Sequence, residues 1–398
     1  MKKKVLATVL AAAMVLAATG CGGNSAQTTG GSTGSSGSQA SESTGDDFKF
    51  AFATSLTVEN ADYGEEQLAA LEIAVDQINA AGGINGKQVV FDAFDDQGNP
   101  QEAQICAQKI VSDGNYQFAL GYNSSGRFLA SNPTYVQAGM PVIVSSGTAS
   151  KVTEQGFENC VRVCARDDTD VSTIIAHAAK ELDAKKCVVI VDNAEGEISS
   201  YDNVLPYLDE YGIEVIDTQY AETTERDYNA IITNWKSMDF DTIIFSQNYD
   251  HLALFLNQAV ELGLITDDVN MVCINGSVNT AAFTDLVGNN ADGMTVVAAY
   301  NVDAQDETYI EFAKQFEEKT GKKAGEAAIT TYVAFQVAAD AYNDFGATRE
   351  NLIETIKANK FDTISGEAYF DEKGDNEGCP GGLCLIQDGK IDIYDWQN

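Results

Sequence analysis

The chain has 398 residues, with 24 lysines and arginines against 60 aspartates and glutamates and a formal net charge of −36. Binding to nucleic acid phosphates needs a basic face, so this balance excludes that partner class. An apolar share of 44% is that of a globular chain with a sizeable core.

Met1-Lys-Lys-Lys4 is a basic start, and Val5–Ala18 is an apolar run too short for an ordinary membrane span. Leu16-Ala-Ala-Thr-Gly-Cys21 has the form of a lipobox, which predicts cleavage after Gly20 and lipidation of Cys21. Residues 22–45 are rich in Gly, Ser and Thr, with almost nothing to bury, and read as a flexible tether. About 350 residues then remain, enough for two domains of usual size.

Phe48–Ala53 reads as the first strand, and Thr54–Tyr63 as a loop leading into a helix. Leu68, Leu71, Val75 and Ile78 give that helix its apolar stripe. Gly82-Gly83 ends it, Asn85-Gly86 turns the chain, and Val89–Phe91 is a short strand. Pro100 is placed to open the next helix after the polar loop Asp95–Asn99. Phe118–Gly121 and Pro141–Val144 follow as strands, each running into a serine-rich loop: Asn123-Ser-Ser-Gly126 and Ser145-Ser-Gly-Thr148. After the strand Cys160–Val163, Arg166-Asp-Asp168 reads as a crossover into a second alternating series. Its helices are expected at Val171–Leu182, Asn203–Tyr211, Tyr228–Met238 and Leu252–Leu262. Its strands are expected at Cys187–Val191, Ile213–Ile216, Thr242–Ser246 and Met271–Ile274. Gly293–Ala298 is expected to carry the chain back to the first series, where Tyr309–Lys319, Ile329–Asp344 and Asn351–Ala358 supply helices. Alternating strands and helices predict parallel sheets covered on both faces, and two such series predict two lobes.

Seven cysteines follow Cys21, an odd number that cannot all pair internally. Cys160 and Cys164 would stand about 13 Å apart on one strand, too far to bridge. Cys379-Pro-Gly-Gly-Leu-Cys384 is the one candidate for a local disulfide. With no CxxC pair and only His177 and His251 as histidines, no metal site is expected. No Gly-x-Ser-x-Gly elbow, Walker loop or Gly-x-Gly-x-x-Gly fingerprint is found, so no enzyme activity and no cofactor are expected.

The two serine-rich loops are the strongest functional feature. In open α/β sheets, ligands sit beyond the carboxyl ends of the strands. A helix start offers unpaired N–H groups and partial positive charge, which hold a carboxylate without lysine or arginine. Read alone, each loop serves equally as a helix cap.

Ile78-Asn-Ala-Ala-Gly-Gly-Ile-Asn-Gly-Lys87 and Asp95-Asp-Gln-Gly-Asn-Pro-Gln-Glu-Ala103 closely resemble the extracytoplasmic substrate-binding proteins of branched-chain amino acid ABC transporters. The resemblance implies an α/β fold of two doubly wound parallel-sheet lobes joined by three crossovers, the type I periplasmic-binding-protein fold. It divides the chain into a signal peptide (1–20), a tether (21–45), an N-terminal lobe (46–166 plus 300–385) and a C-terminal lobe (167–299 plus 386–398). It implies an amino acid, of branched-chain type first, or a related small carboxylate bound between lobes that close on it. The implied partners are permease subunits and, through Cys21, the outer face of the cell membrane, with the protein a monomer. Ser124 and Ser125 match one ligand loop, Ser146 and Thr148 the other, and Tyr63 an aromatic beside the ligand. In the second lobe the match weakens. Asp192–Glu197 lacks an expected tyrosine-glycine pair, Tyr249 stands near the place of a second tyrosine, and Asn275 occupies the place of the acid that meets the ligand ammonium. An amide supplies no charge, so Glu195 or Asp250 would have to replace it, or the ligand differs. Arg127 is available for a second ligand carboxylate. Two other classes stay open: a ligand-sensing receptor of the same fold without transport, and a hydrolytic enzyme.

Overall fold

The computed structural model describes residues 47–58, 60–300, 306–379 and 381–394. The leader, the tether with Cys21, and Trp396, expected as a packing residue, lie outside these.

Five parallel strands build the first sheet: β1 (Phe48–Thr54), β2 (Val89–Asp95), β3 (Ala119–Gly121), β4 (Val142–Val144) and β5 (Cys160–Arg162), in the spatial order 2-1-3-4-5. Helices α1 (Ala61–Ala80), α2 (Pro100–Asp113) and α3 (Ser125–Ala138) connect them. Asn99 caps α2 by accepting from Gln101 and Glu102 N–H, and Pro100 opens the helix as expected. The chain then leaves for a second sheet through α4 (Asp167–Lys180).

That sheet holds β6 (Lys186–Asp192), β7 (Glu214–Ala221), β8 (Thr242–Ser246), β9 (Asn270–Cys273) and β10 (Thr295–Ala298), again parallel, in the order 7-6-8-9-10. Its helices are α5 (Glu195–Glu210), α6 (Asn229–Trp235), α7 (Tyr249–Glu261) and α8 (Ala281–Val287). Gly293–Ala298 is therefore not the return segment: it ends in β10, whose buried Val296 and Val297 are a strand's continuous apolar run. The return follows it. Helices α9 (Glu307–Thr320) and α10 (Glu326–Asn343) pack on α1, and α11 (Leu352–Ala358) and the hairpin β11 (Lys360–Thr363) and β12 (Gly366–Tyr369) follow. Finally β13 (Gly382–Gln387) pairs antiparallel with β10, and β14 (Lys390–Tyr394) pairs with β13. Gly382–Leu385 thus belongs with the second sheet, a few residues earlier than the expected limit at 385, because its backbone bonds go to β10.

Each lobe's core is sealed by helices on both faces. In the first, Phe50 stacks on Phe118 at 4.8 Å between ring centres and meets Phe335 of α10. Two glycines allow close backbone approach near the serine-rich loops. A Cβ on Gly64 would stand 1.6 Å from the Ser55 carbonyl oxygen, and one on Gly121, at φ +127°, 2.2 Å from that of Ala53.

No disulfide joins Cys379 to Cys384. Cys379 Sγ donates to the Ala299 carbonyl at 3.6 Å, whereas Cys384 is fixed on β13 beside Tyr300. Burial pushes the Cys384 thiol up to about 12. The expected result is that a reducing agent leaves the melting temperature unchanged. A fall of several degrees on reduction would show that this pair had been oxidised.

Candidate functional site

Both sheets share one geometry: the order reverses between β1 and β3 in the first, and between β6 and β8 in the second. Loops leaving neighbouring strands in opposite directions open a crevice at that point. The two crevices face one another across a cavity of about 420 Å³.

The first lobe supplies the floor. Ser124 is the N-cap residue of α3, and the Ser125 hydroxyl accepts from Ala149 N–H at 3.1 Å, tying the helix start to the second serine loop. Ser145 donates to the Gly121 carbonyl at 3.1 Å and accepts from Gln67 at 2.9 Å, so it braces the floor from beneath. The Ser146 hydroxyl meets that of Thr330 on α10 at 2.9 Å. Buried Arg162 donates to the carbonyls of Gly147, Thr148 and Ala149 at 3.1, 2.7 and 2.8 Å, which fixes the loop that brings Thr148 to the cavity lining. Ser124, Ser125, Ser146 and Thr148 all line the space, as does Tyr63, whose hydroxyl donates to Glu326 at 3.3 Å. Burial first, then the Glu326 carboxylate, push the Tyr63 hydroxyl well above its usual value.

The second lobe differs more from expectation. Helix α5 begins at Glu195, eight residues before the expected start, so Glu195 and Glu197 stand in its first turn and line the cavity. Gly196 and the two serines at 199 and 200 hid this turn, since their intrinsic helix preference is low. Asn275 lines the cavity too, but its amide is engaged at both ends: Nδ2 donates to Glu197 Oε1 at 3.0 Å, and Oδ1 accepts from Ser277 N–H at 2.9 Å. It positions an acid instead of being one. Tyr249 lies outside the lining and donates to Asp62 of the first lobe at 3.5 Å, because it opens α7 one residue beyond Asn248, which does line the space. Asp250 is outside as well, whereas Glu195 is at the rim in an ion pair with Lys151 of the first lobe. Arg127 is buried, held by Asn123 and by Asp96 at 3.3 Å.

Three further acids in the lining escaped the sequence reading: Asp167 and Asp170 in the first turn of α4, and Glu326 at the start of α10. Burial pushes Glu326 up to about 7, against the hydrogen bonds from Ala299 N–H, Asn279 and Tyr63 that favour its charged form. Burial likewise raises Asp167 to about 6, and Asp170 well above the carboxylate range with Glu326 and Asp167 adding to the effect. The one available signal was an acid opening an otherwise apolar helix, as in Glu326-Ala-Ala-Ile329.

The arrangement is a polar cleft: the hydroxyls and the start of α3 come from the first lobe, and carboxyl groups come from both sides, Glu326 beside Tyr63 and Glu195 and Glu197 from α5. The Leu-, Ile-, Val-, Thr- and Ala-binding protein of Pseudomonas aeruginosa is 27% identical over 354 residues, 88% of this chain and 90% of that protein. The Leu/Ile/Val-binding protein of Escherichia coli is 24% identical over 351 residues, covering 88% and 91%. Among solved structures, the branched-chain amino acid transporter substrate-binding protein LivJ of Streptococcus pneumoniae, in complex with isoleucine, superposes with a TM-score of 0.79 at 22% identity, covering 87% of this chain and 99% of that one. A solute-binding protein of an ABC transporter from Rhodopseudomonas palustris, in complex with 3,4-dihydroxybenzoic acid, gives 0.79 at 19% identity, covering 88% and 96%. These likenesses confirm the two-lobed type I fold. The periplasmic binding protein profile matches residues 47–380, and the chain belongs to that family.

Proposed function

We propose that the chain is the extracytoplasmic solute receptor of an ABC importer, taking an amino acid or related small carboxylate between its lobes. The observation that carries this is the pairing of the two switch-point crevices across one cavity, with Ser124, Ser125, Ser146 and Thr148 on one wall. Unpaired N–H groups at the start of a 14-residue helix and the loop hydroxyls suit the ligand carboxylate. The lobes are taken as 46–166 with 300–381 and 167–299 with 382–398, and they close as rigid bodies about the crossovers. Lipidated Cys21 holds a monomer at the outer face of the membrane, and the closed form engages the permease.

The names of the relatives put leucine, isoleucine and valine first in a binding panel, with other amino acids and benzoates beside them. Ligand binds only the folded state, so a true ligand raises the melting temperature. Replacing Thr148 with alanine is expected to weaken binding about tenfold, the scale of one hydrogen bond to a charged group, without moving the unliganded melting temperature. No shift with any amino acid or carboxylate would sink this reading.

A further inference from the structure

The cavity is bordered by more carboxyl groups than a single ammonium can meet. Asp167, Asp170, Glu197 and Glu326 line it, and Glu195 stands at the rim paired with Lys151. Among the described residues the one cationic side chain in the lining, Arg127, is engaged by Asp96 and Asn123. Apolar side chains in the lining are few, chiefly Tyr63, Ile274 and Val297, and they do not form a sheath for a branched hydrocarbon chain.

A second, independent observation concerns unmet hydrogen bonds. Asp167 is 3% exposed and its Oδ2 has no partner; Asp170 is 2% exposed and its Oδ1 has none. Asn60, also in the lining and 8% exposed, has an unpartnered Oδ1. Buried polar atoms without partners are rare and costly, and all three of these are acceptors. They call for a ligand rich in N–H donors. The helix start at α4 favours acids by its dipole, which accounts for the presence of Asp167 there but leaves its outer oxygen and the buried Asp170 unmatched.

Resting on the reading of this cleft as an amino acid site, we propose that its ligand carries a second positive group, an amine or guanidine, as in the basic α-amino acids. The carboxylate end meets the serine wall. The cationic groups lie against Asp167, Asp170, Glu197 and Glu326, where charge-assisted hydrogen bonds fill the empty acceptors.

The test uses the full-length protein in detergent, with thermal melts and titration calorimetry against L-lysine, L-arginine, L-ornithine, L-leucine, L-glutamate and putrescine. A basic amino acid binding at least tenfold tighter than leucine, with that preference reduced about tenfold by Asp170→Asn, supports the proposal. Should that variant melt low without ligand, Asp167→Asn, nearer the helix start, replaces it in the comparison. Leucine or glutamate as the tightest ligand overturns the proposal while leaving the amino acid receptor intact. Putrescine binding as tightly as the basic amino acids overturns it too, because the serine wall would then hold no carboxylate. Binding of none of the six amino compounds overturns this proposal and leaves the receptor reading to the wider panel of carboxylates.

Discussion

Replacing Arg162 with methionine is expected to destabilise the protein by about 3–5 kcal/mol, the scale for breaking a buried ion pair by removing one partner. Arg162 is fully buried, and its Nε donates to Asp375 Oδ1 at 3.0 Å while a second guanidinium nitrogen bonds the same oxygen. Asp375 also accepts from Arg166 at 2.7 Å and from Thr153 at 2.9 Å. In the variant, methionine fills the volume but leaves three loop carbonyls and part of a buried carboxylate unpaired. Urea unfolding at pH 7 would measure the loss. Ligand affinity is expected to fall as well, because the carbonyls released are those of Gly147–Ala149, in the loop proposed to hold the ligand.

The pH dependence follows from Asp375. Burial pushes its carboxyl up, but the Arg162 charge and the hydrogen bonds from Arg166, Arg162 and Thr153 outweigh that and hold it below its ordinary value. A depressed native pKa means the folded state binds fewer protons, so this contribution is present above about pH 4 and is lost as the pH falls through the native value. The stability gap between parent and variant is expected to narrow as the medium is acidified past that range. A constant gap down to the acid unfolding transition would show that the pair is not what the variant removed.

Gly64→Ala has the second largest expected effect. The new Cβ would enter the Ser55 carbonyl, backbone against backbone, and neither side can give way by rotating a side chain. Overpacking a core costs about 1–3 kcal/mol, and a contact this short belongs at the upper end. Tyr63 sits on the same turn of α1 and would move with it, so ligand affinity should fall together with the unfolding midpoint. Unchanged stability would mean that α1 approaches β1 less closely than described.

The elements most legible in the sequence were those whose signal is local. β1 and β8 stand within a residue of their expected limits and α2 starts at Pro100 as expected, because an apolar run or a proline at a helix start is visible in the chain itself. The serine loops were legible for the same reason. What could not be read was set by tertiary context. β10 looked like a connection because four buried residues carry no period of their own. Glu326 drew no notice because only the fold brings α10 against Tyr63 and the crossover at Ala299. Asn275 drew notice as a missing charge, and the other acids that line the cavity lie from over a hundred residues upstream to about fifty downstream, beyond any spacing rule.

The three passages between the lobes are bonded to one another. Ala165 N–H donates to the Ala299 carbonyl at 3.0 Å, the Asn376 amide donates to that of Val163 at 2.9 Å, and Cys379 reaches Ala299 from the third. Three separate tethers would let one lobe slide and swivel over the other. A laced band can still bend across its width, but shear and twist would break the lacing. The proposed opening and closing would then follow a single arc, and a permease reading the receptor from outside would meet a two-position signal set by occupancy.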